Sequence, residues 1–335
     1  MVNGEKLKKK FGLLFPGQGS QHAGMGKELY EARPAARWVF DRADEMLEKD
    51  LKKLCFRGPE DELMSTANSQ LAIFVTSIAT LNALAEKVKG TPVGNPDAEI
   101  FSPEDINAVG GVALGLSLGE PTALVAAGAM SFEDGLKFVK YRGQFMEEAC
   151  RKEEGKMASI IGLEMDKVEE LCNGVGVQVA NLNCPGQVVI SGPAPAVELA
   201  ADLAKRRGAK RVIILKVGGA FHSRLMLPAK EKLKVVLEEI EIKEPQTDFI
   251  SNIDAKITRD PSKIKENLAN QLDSKTLWDA SVRNAISGGF TDFLEIGPGN
   301  VLKGLLRKID KSLNVMTLHV PEDIDMFVEK NISGE

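Results

Sequence analysis

A chain of 335 residues, 43% hydrophobic and 27% charged, has room for one large domain, or a large domain with a smaller one, and has the makeup of a globular protein. Its net charge of −5 argues against a general nucleic-acid binder. No run of about 18 apolar residues suggests a membrane span, and the lysine-rich first ten residues lack the apolar core and cleavage site of a signal peptide.

Phe11-Gly12-Leu13-Leu14-Phe15 predicts a first strand, ended by Pro16-Gly17. Helical stretches follow through Leu29, from Trp38 to Leu47 and from Gln70 to Val88. Gly90 to Asp105, with Pro92, Gly94, Pro96, Pro103 and several acids, reads as a surface loop or insertion with no assignable role. Ala108 to Leu114 reads as a buried strand and Thr122 to Ala129 as a helix. Ser131-Phe132-Glu133-Asp134 is a capping box that opens a helix from Phe132 to about Cys150. This alternation predicts a parallel α/β sheet with helices on both faces.

The pattern changes near Lys156. Met157–Ile161 predicts a strand, Asp166–Asn173 a helix, Val177–Asn183 and Gln187–Ser191 two strands, Ala194–Arg207 a helix, and Arg211–Val217 a last strand. The order β-α-β-β-α-β is the ferredoxin-like unit. A small subdomain at 155–223, inserted into a large domain made of 1–154 and 224–335, fits this order. The chain returns through helices at Pro228–Glu239 and Ile264–Leu272 and a strand at Asp292–Ile296, ended by Gly297-Pro298-Gly299. A last helix runs to about Ile309. Cys55, Cys150, Cys172 and Cys184 have no metal-type spacing and read as reduced thiols of a cytoplasmic protein.

Gly115-Leu116-Ser117-Leu118-Gly119 is a G-x-S-x-G pattern set between a buried strand and a helix. Such a turn lifts a serine hydroxyl clear of the sheet and aims the N–H groups of the helix start at an oxyanion. The alternative is an ordinary glycine-rich turn. A serine nucleophile needs a base, and the histidines are His22, His222 and His319. His22 follows a glycine-rich loop, and His319 lies in a late apolar strand-like run. His222, in the loop Gly218-Gly219-Ala220-Phe221-His222-Ser223, is the best placed to face a cleft. Arg142 falls on the inward stripe of its helix, four residues after Phe138. A buried guanidinium needs a partner, either an internal acid such as Glu120 or a substrate carboxylate gripped in bidentate fashion. Pro16-Gly17-Gln18-Gly19-Ser20-Gln21 fits no phosphate-loop pattern. It is either a plain turn or the second wall of an oxyanion site, with the Gln18 N–H as donor.

Phe15-Pro16-Gly17-Gln18-Gly19-Ser20-Gln21, Gly115-Leu116-Ser117-Leu118-Gly119-Glu120, Arg142-Gly143-Gln144, Asn183-Cys184-Pro185-Gly186-Gln187, Ala220-Phe221-His222-Ser223 and Glu295-Ile296-Gly297-Pro298-Gly299 come in this order. Together they resemble the malonyl-CoA:acyl carrier protein transacylases of fatty acid synthesis, from about Phe11 to about Ile309. The resemblance implies an α/β-hydrolase-like large domain with a ferredoxin-like small one. It implies Ser117 as nucleophile, His222 as its base, Arg142 as holder of the malonyl carboxylate, and the N–H groups of Gln18 and Leu118 as oxyanion hole. Gln271 would orient the histidine through its carbonyl, Asn183 would line the site, and Phe221 matches the malonyl-type selectivity pattern. No metal or redox cofactor is implied. The expected partners are malonyl-CoA and an acidic acyl carrier protein. The carrier would dock on the basic run Lys205, Arg206, Arg207, Lys210 and Arg211, whose alternative role is to favour a helix C-terminus. A monomer with no nucleic-acid or membrane partner is expected. Leu116 stands where many members have histidine, and Pro121 where an aromatic residue is usual. Rival readings are a thioester hydrolase, a non-enzymatic CoA-binding member and an acyltransferase of a polyketide assembly line.

Overall fold

A computed structural model describes residues 9–89 and 109–332 of the chain. The predicted insertion at Gly90–Asp105 lies outside the described residues. Two sheets organise the rest. The first is five-stranded, in the order β7-β2-β1-β8-β9, with β1 at Phe11–Phe15, β2 at Gly110–Gly115, β7 at Asp248–Phe249, β8 at Asp292–Ile296 and β9 at Asn314–Leu318. Every pairing in it is parallel, with Leu14 opposite Leu114 and Phe15 opposite Gly115. Strands covered on both faces read as unbroken apolar runs, and β1 is buried throughout. Its side chains alternate between two cores. Leu13, Phe15 and Ala113 join the larger core, while Leu14, Val112 and Leu114 face Trp278, Val282 and Leu302 on the other side.

The larger core is built on the Thr66–Lys89 helix, which lies against the helices Pro34–Leu47 and Phe132–Lys152, with Phe74 and Phe132 stacked at 5.9 Å. The Thr66–Lys89 helix is long and apolar enough to cross a membrane by length and composition, but 83% of its apolar window is buried inside the protein. Ser131 caps the Phe132–Lys152 helix as expected, its Oγ accepting the Asp134 N–H at 3.0 Å.

The second sheet is four-stranded and antiparallel, in the order β4-β5-β3-β6, with β3 at Gly155–Ile161, β4 at Gln178–Cys184, β5 at Gln187–Pro193 and β6 at Arg211–Ile214. The helices Met165–Val175 and Ala194–Arg206 cover one face around Ile160, Val168, Ile190 and Val197. This is the predicted β-α-β-β-α-β unit. Its last strand stops at Ile214, short of the predicted Val217, although the Leu215 N–H still reaches the Met157 carbonyl at 2.9 Å. β4 ties this unit to the large one. The Leu182 N–H donates to the Thr276 carbonyl at 2.9 Å, and the Thr276 N–H to Ala180 at 2.8 Å. Helices at Trp278–Ser287 and Pro321–Ile332, and the two-residue β7, have no counterpart in the sequence prediction. All four cysteines are free thiols.

Candidate active site

In open parallel sheets, loops at the carboxyl ends of the strands form the ligand crevice. Here the ends of β1 and β2 come together. β2 finishes at Gly115, and the next helix, Gly119–Ala126, begins three residues earlier than Thr122, directly behind the serine. A Cβ on Gly119 would lie 2.0 Å from the Phe15 carbonyl oxygen, so only glycine lets the helix start sit against β1. Ser117 occupies the turn at φ 52°. A non-glycine residue there carries strain of about 1–3 kcal/mol and must be held by its surroundings. Asn252 does the holding. Its Oδ1 accepts the Ser117 N–H at 2.7 Å, and its Nδ2 donates to the Gly115 carbonyl at 2.6 Å.

The serine hydroxyl donates to His222 Nε2 at 2.8 Å, and His222 Nδ1 faces the main-chain carbonyl of Gln271 at 2.8 Å. A carbonyl can only accept, so Nδ1 carries the proton and Nε2 is left with a free lone pair. Gln271 therefore orients the histidine through its main chain. Among the described residues no carboxylate fills the usual third place of a triad. His222 is buried, and burial together with Arg142 lowers its pKa to about 4. At neutral pH it is an uncharged base.

Arg142 is 1% exposed and reaches the same point. Its Nη2 donates to Ser117 Oγ at 3.1 Å and to Gln271 Oε1 at 2.8 Å, and its Nη1 donates to Gln70 Oε1 at 2.7 Å. The partners that hold it are neutral amides rather than an internal acid. Glu120, the acid considered from the sequence, instead accepts the Asn252 N–H at 2.8 Å and a bond from Gln271 Nε2. Burial lowers the Arg142 pKa to about 10 while Glu120 pulls it back up, so the guanidinium stays charged at neutral pH. A buried cation whose contacts are neutral oxygens keeps its attraction for an anion beside the serine.

The Pro16–Gly19 loop packs on the serine turn, close enough that a Cβ on Gly17 would lie 2.4 Å from the Leu116 carbonyl oxygen. Gln21 Oε1 takes the Gly19 N–H at 2.8 Å. Around the serine, the N–H groups of Leu116, Ser117, Gly119 and Glu120 are all engaged. Those of Gln18 and Leu118 have no hydrogen bond to protein among the described residues. Pro121 sits buried in the first turn of its helix and has no N–H to offer. The Ser117 carbonyl accepts Gln271 Nε2 at 2.9 Å beside the Glu120 N–H.

The remaining expected residues lie farther out. Phe221 is buried in the main core next to His222. Asn183 stands on β4, with its Oδ1 buried and without a hydrogen-bond partner among the described residues. Lys205, Arg206, Arg207, Lys210 and Arg211 are exposed at the end of the Ala194–Arg206 helix and the start of β6. Lys205 pairs with Asp202, and Arg207 with Glu170. His22 is exposed, and His319 pairs with Asp323, so neither joins the site. Three residues of the site were not read as such from the sequence. Asn252 gave no signal in its loop. Gln70, and Glu120 as more than a possible partner of Arg142, could have been found as polar side chains in otherwise apolar helical segments.

A strained serine turn bonded to a buried histidine and a buried arginine suits acyl chemistry, and residues 13–321 match the acyl transferase domain family. The malonyl CoA-acyl carrier protein transacylase of Bacillus subtilis (strain 168) is 46% identical over 325 residues, 96% of each chain. An acyl-carrier-protein S-malonyltransferase structure from Bartonella henselae superposes with a TM-score of 0.88 at 36% identity, covering 96% of this chain and 99% of the other. A malonyl-transacylase solved in complex with a type II PKS acyl-carrier protein gives a TM-score of 0.87 at 36% identity, covering 96% and 100%. The chain belongs to the malonyl-CoA:acyl carrier protein transacylase family.

Proposed function

We propose that the chain transfers a malonyl group from malonyl-CoA to the phosphopantetheine thiol of an acyl carrier protein in fatty acid synthesis, through a malonyl ester of Ser117. The observation that carries this reading is the Arg142 Nη2 atom 3.1 Å from Ser117 Oγ, a buried cation beside a nucleophile that is itself bonded to a neutral histidine.

In the first half-reaction Ser117 Oγ attacks the thioester carbonyl as His222 Nε2 takes the hydroxyl proton. The free N–H groups of Gln18 and Leu118 meet the oxyanion. The C–S bond then breaks, and the proton passes from His222 to the CoA sulfur. In the second half the carrier thiol gives its proton to His222 and attacks the ester carbonyl. Ser117 leaves and recovers the proton. The halves are near mirror images, and no step is routed through a metal or redox cofactor. Arg142 grips the malonyl carboxylate and disfavours an acetyl group, which would leave the desolvated cation without its anion. Asn183 and Phe221 keep the site-lining and selectivity roles that the family resemblance implies, and the exposed basic run from Lys205 to Arg211 offers an acidic carrier a docking face.

The test is the fate of a radiolabelled malonyl group in the presence of carrier protein. Label on the carrier thiol is expected. Label released as free malonate at the rate of CoA release would make the protein a thioester hydrolase.

A further inference from the structure

Glu120 is almost fully buried, yet it is absent from the mechanism above. Its two oxygens meet several donors, the Ser251 side chain among them. Oε1 accepts the main-chain N–H of Asn252 at 2.8 Å, and Oε2 accepts from Gln271 Nε2. A side-chain amide has an oxygen end and an NH2 end, and which end points where is set by its neighbours. At Gln271 the NH2 end meets two acceptors, Glu120 Oε2 and the Ser117 carbonyl. The oxygen end meets Arg142 Nη2 at 2.8 Å, a group that can only donate. Reversing this amide would set NH2 against guanidinium and oxygen against carboxylate.

Pro121 adds to this arrangement. Any other residue there would carry an N–H one helical turn after the Ser117 carbonyl, ready to compete for it. With proline there, that oxygen is shared only by the Glu120 N–H at 3.1 Å and Gln271 Nε2 at 2.9 Å among the described residues.

We propose that Glu120 is a positioning residue for substrate selection, fixing the Gln271 amide so that its oxygen holds Arg142 in line for a carboxylate beside Ser117. The proposal rests on the malonyl-transfer reading above. Both oxygens of Glu120 accept, as those of a carboxylate do, whereas an amide of the same shape offers only one acceptor end. In Glu120→Gln one end must become a donor, facing either the Asn252 N–H or the Gln271 NH2. Turning the Gln271 amide over relieves the second clash only by placing donors against Arg142. The guanidinium then loses the acceptor that aims it, and the loss bears on the carboxylate of the substrate rather than on the thioester.

The experiment compares wild type and Glu120→Gln in transfer from malonyl-CoA and from acetyl-CoA to carrier protein, with kcat and KM measured separately. The expected result is a fall of about tenfold or more in the malonyl-to-acetyl ratio of kcat/KM, carried mainly by a higher KM for malonyl-CoA. Equal proportional losses on both substrates, or an unchanged ratio, would overturn the proposal, since a purely structural role lowers both alike. If Glu120→Gln does not fold, Glu120→Asp takes its place. It keeps a carboxyl group but shortens the reach to Gln271, and the same change of ratio is expected, with proportional losses again counting against it. Failure of the wild type to form a malonyl-enzyme would instead overturn the functional reading itself.

Discussion

Glu120 and Glu295 are buried carboxylates in nearly the same physical situation. Each is 1% exposed or less, and burial pushes each pKa up to about 7. They differ in what they touch. Glu295, at the end of β8, accepts the N–H groups of Leu302 and Lys303 at 2.9 and 2.8 Å. These are orphan donors in the first turn of the Val301–Ile309 helix, so the carboxylate serves as a cap and balances the helix dipole. Glu120 accepts from Asn252 and Gln271, which in turn hold Ser117, His222 and Arg142. A buried acid bonded to main chain holds a fold together. One bonded to the groups that position reacting atoms passes its own placement on to the chemistry.

The contrast can be broken in order of expected size. Arg142→Ala should cost malonyl transfer about 2–5 kcal/mol, with a relative gain on acetyl-CoA. Steady-state kinetics with both thioesters measures this, and equal losses would remove the carboxylate-clamp role. Glu295→Ala should cost about 2–4 kcal/mol of stability, because a buried N–H and a part-buried one lose their acceptor. Denaturant melts report the loss, and the malonyl-to-acetyl ratio of the folded fraction should not move. A shifted ratio would erase the distinction between the two acids. Asn252→Ala frees the Ser117 N–H and relaxes the strained turn, so acylation should slow by about 1–3 kcal/mol for malonyl and acetyl groups alike. Rapid-quench measurement of acyl-enzyme formation tests this, and a selective loss on malonyl-CoA would contradict it.

The smallest effect is one of pH. His222, held near 4 against an ordinary 6.5, must be neutral to accept the serine proton. Because the folded value is depressed, the neutral base persists below pH 6.5 and is lost as pH falls through about 4. Acylation by acetyl-CoA, which brings no carboxylate of its own, should follow that limb. A midpoint near 6.5 would mean that the histidine is more exposed or less affected by Arg142 than its surroundings dictate.

Much of this was legible in the sequence because the signals were local. β8 lies at its expected bounds, Asp292–Ile296, where a short run with Phe293, Leu294 and Ile296 is closed by Gly297-Pro298-Gly299. The capping box at Ser131 fixed the start of the arginine helix, and helical spacing from Phe138 turned Arg142 inward. What was missed depends on partners far away in the chain. Asn252 meets Ser117 across 135 residues and Gln70 meets Arg142 across 72, and no periodicity encodes such pairs. The helix behind the serine begins at Gly119 rather than at Thr122: close packing on β1 requires that glycine, and the first helical turn tolerates Pro121.

Ser117, His222 and Arg142 meet at one point, as an acylating site requires. Intact-mass analysis after mixing with malonyl-CoA, followed by peptide mapping, tests it most directly. The account predicts a gain of one malonyl group on wild type, located at Ser117, and none on Ser117→Ala. An unmodified wild type, or a malonyl group carried on any other residue, would contradict it.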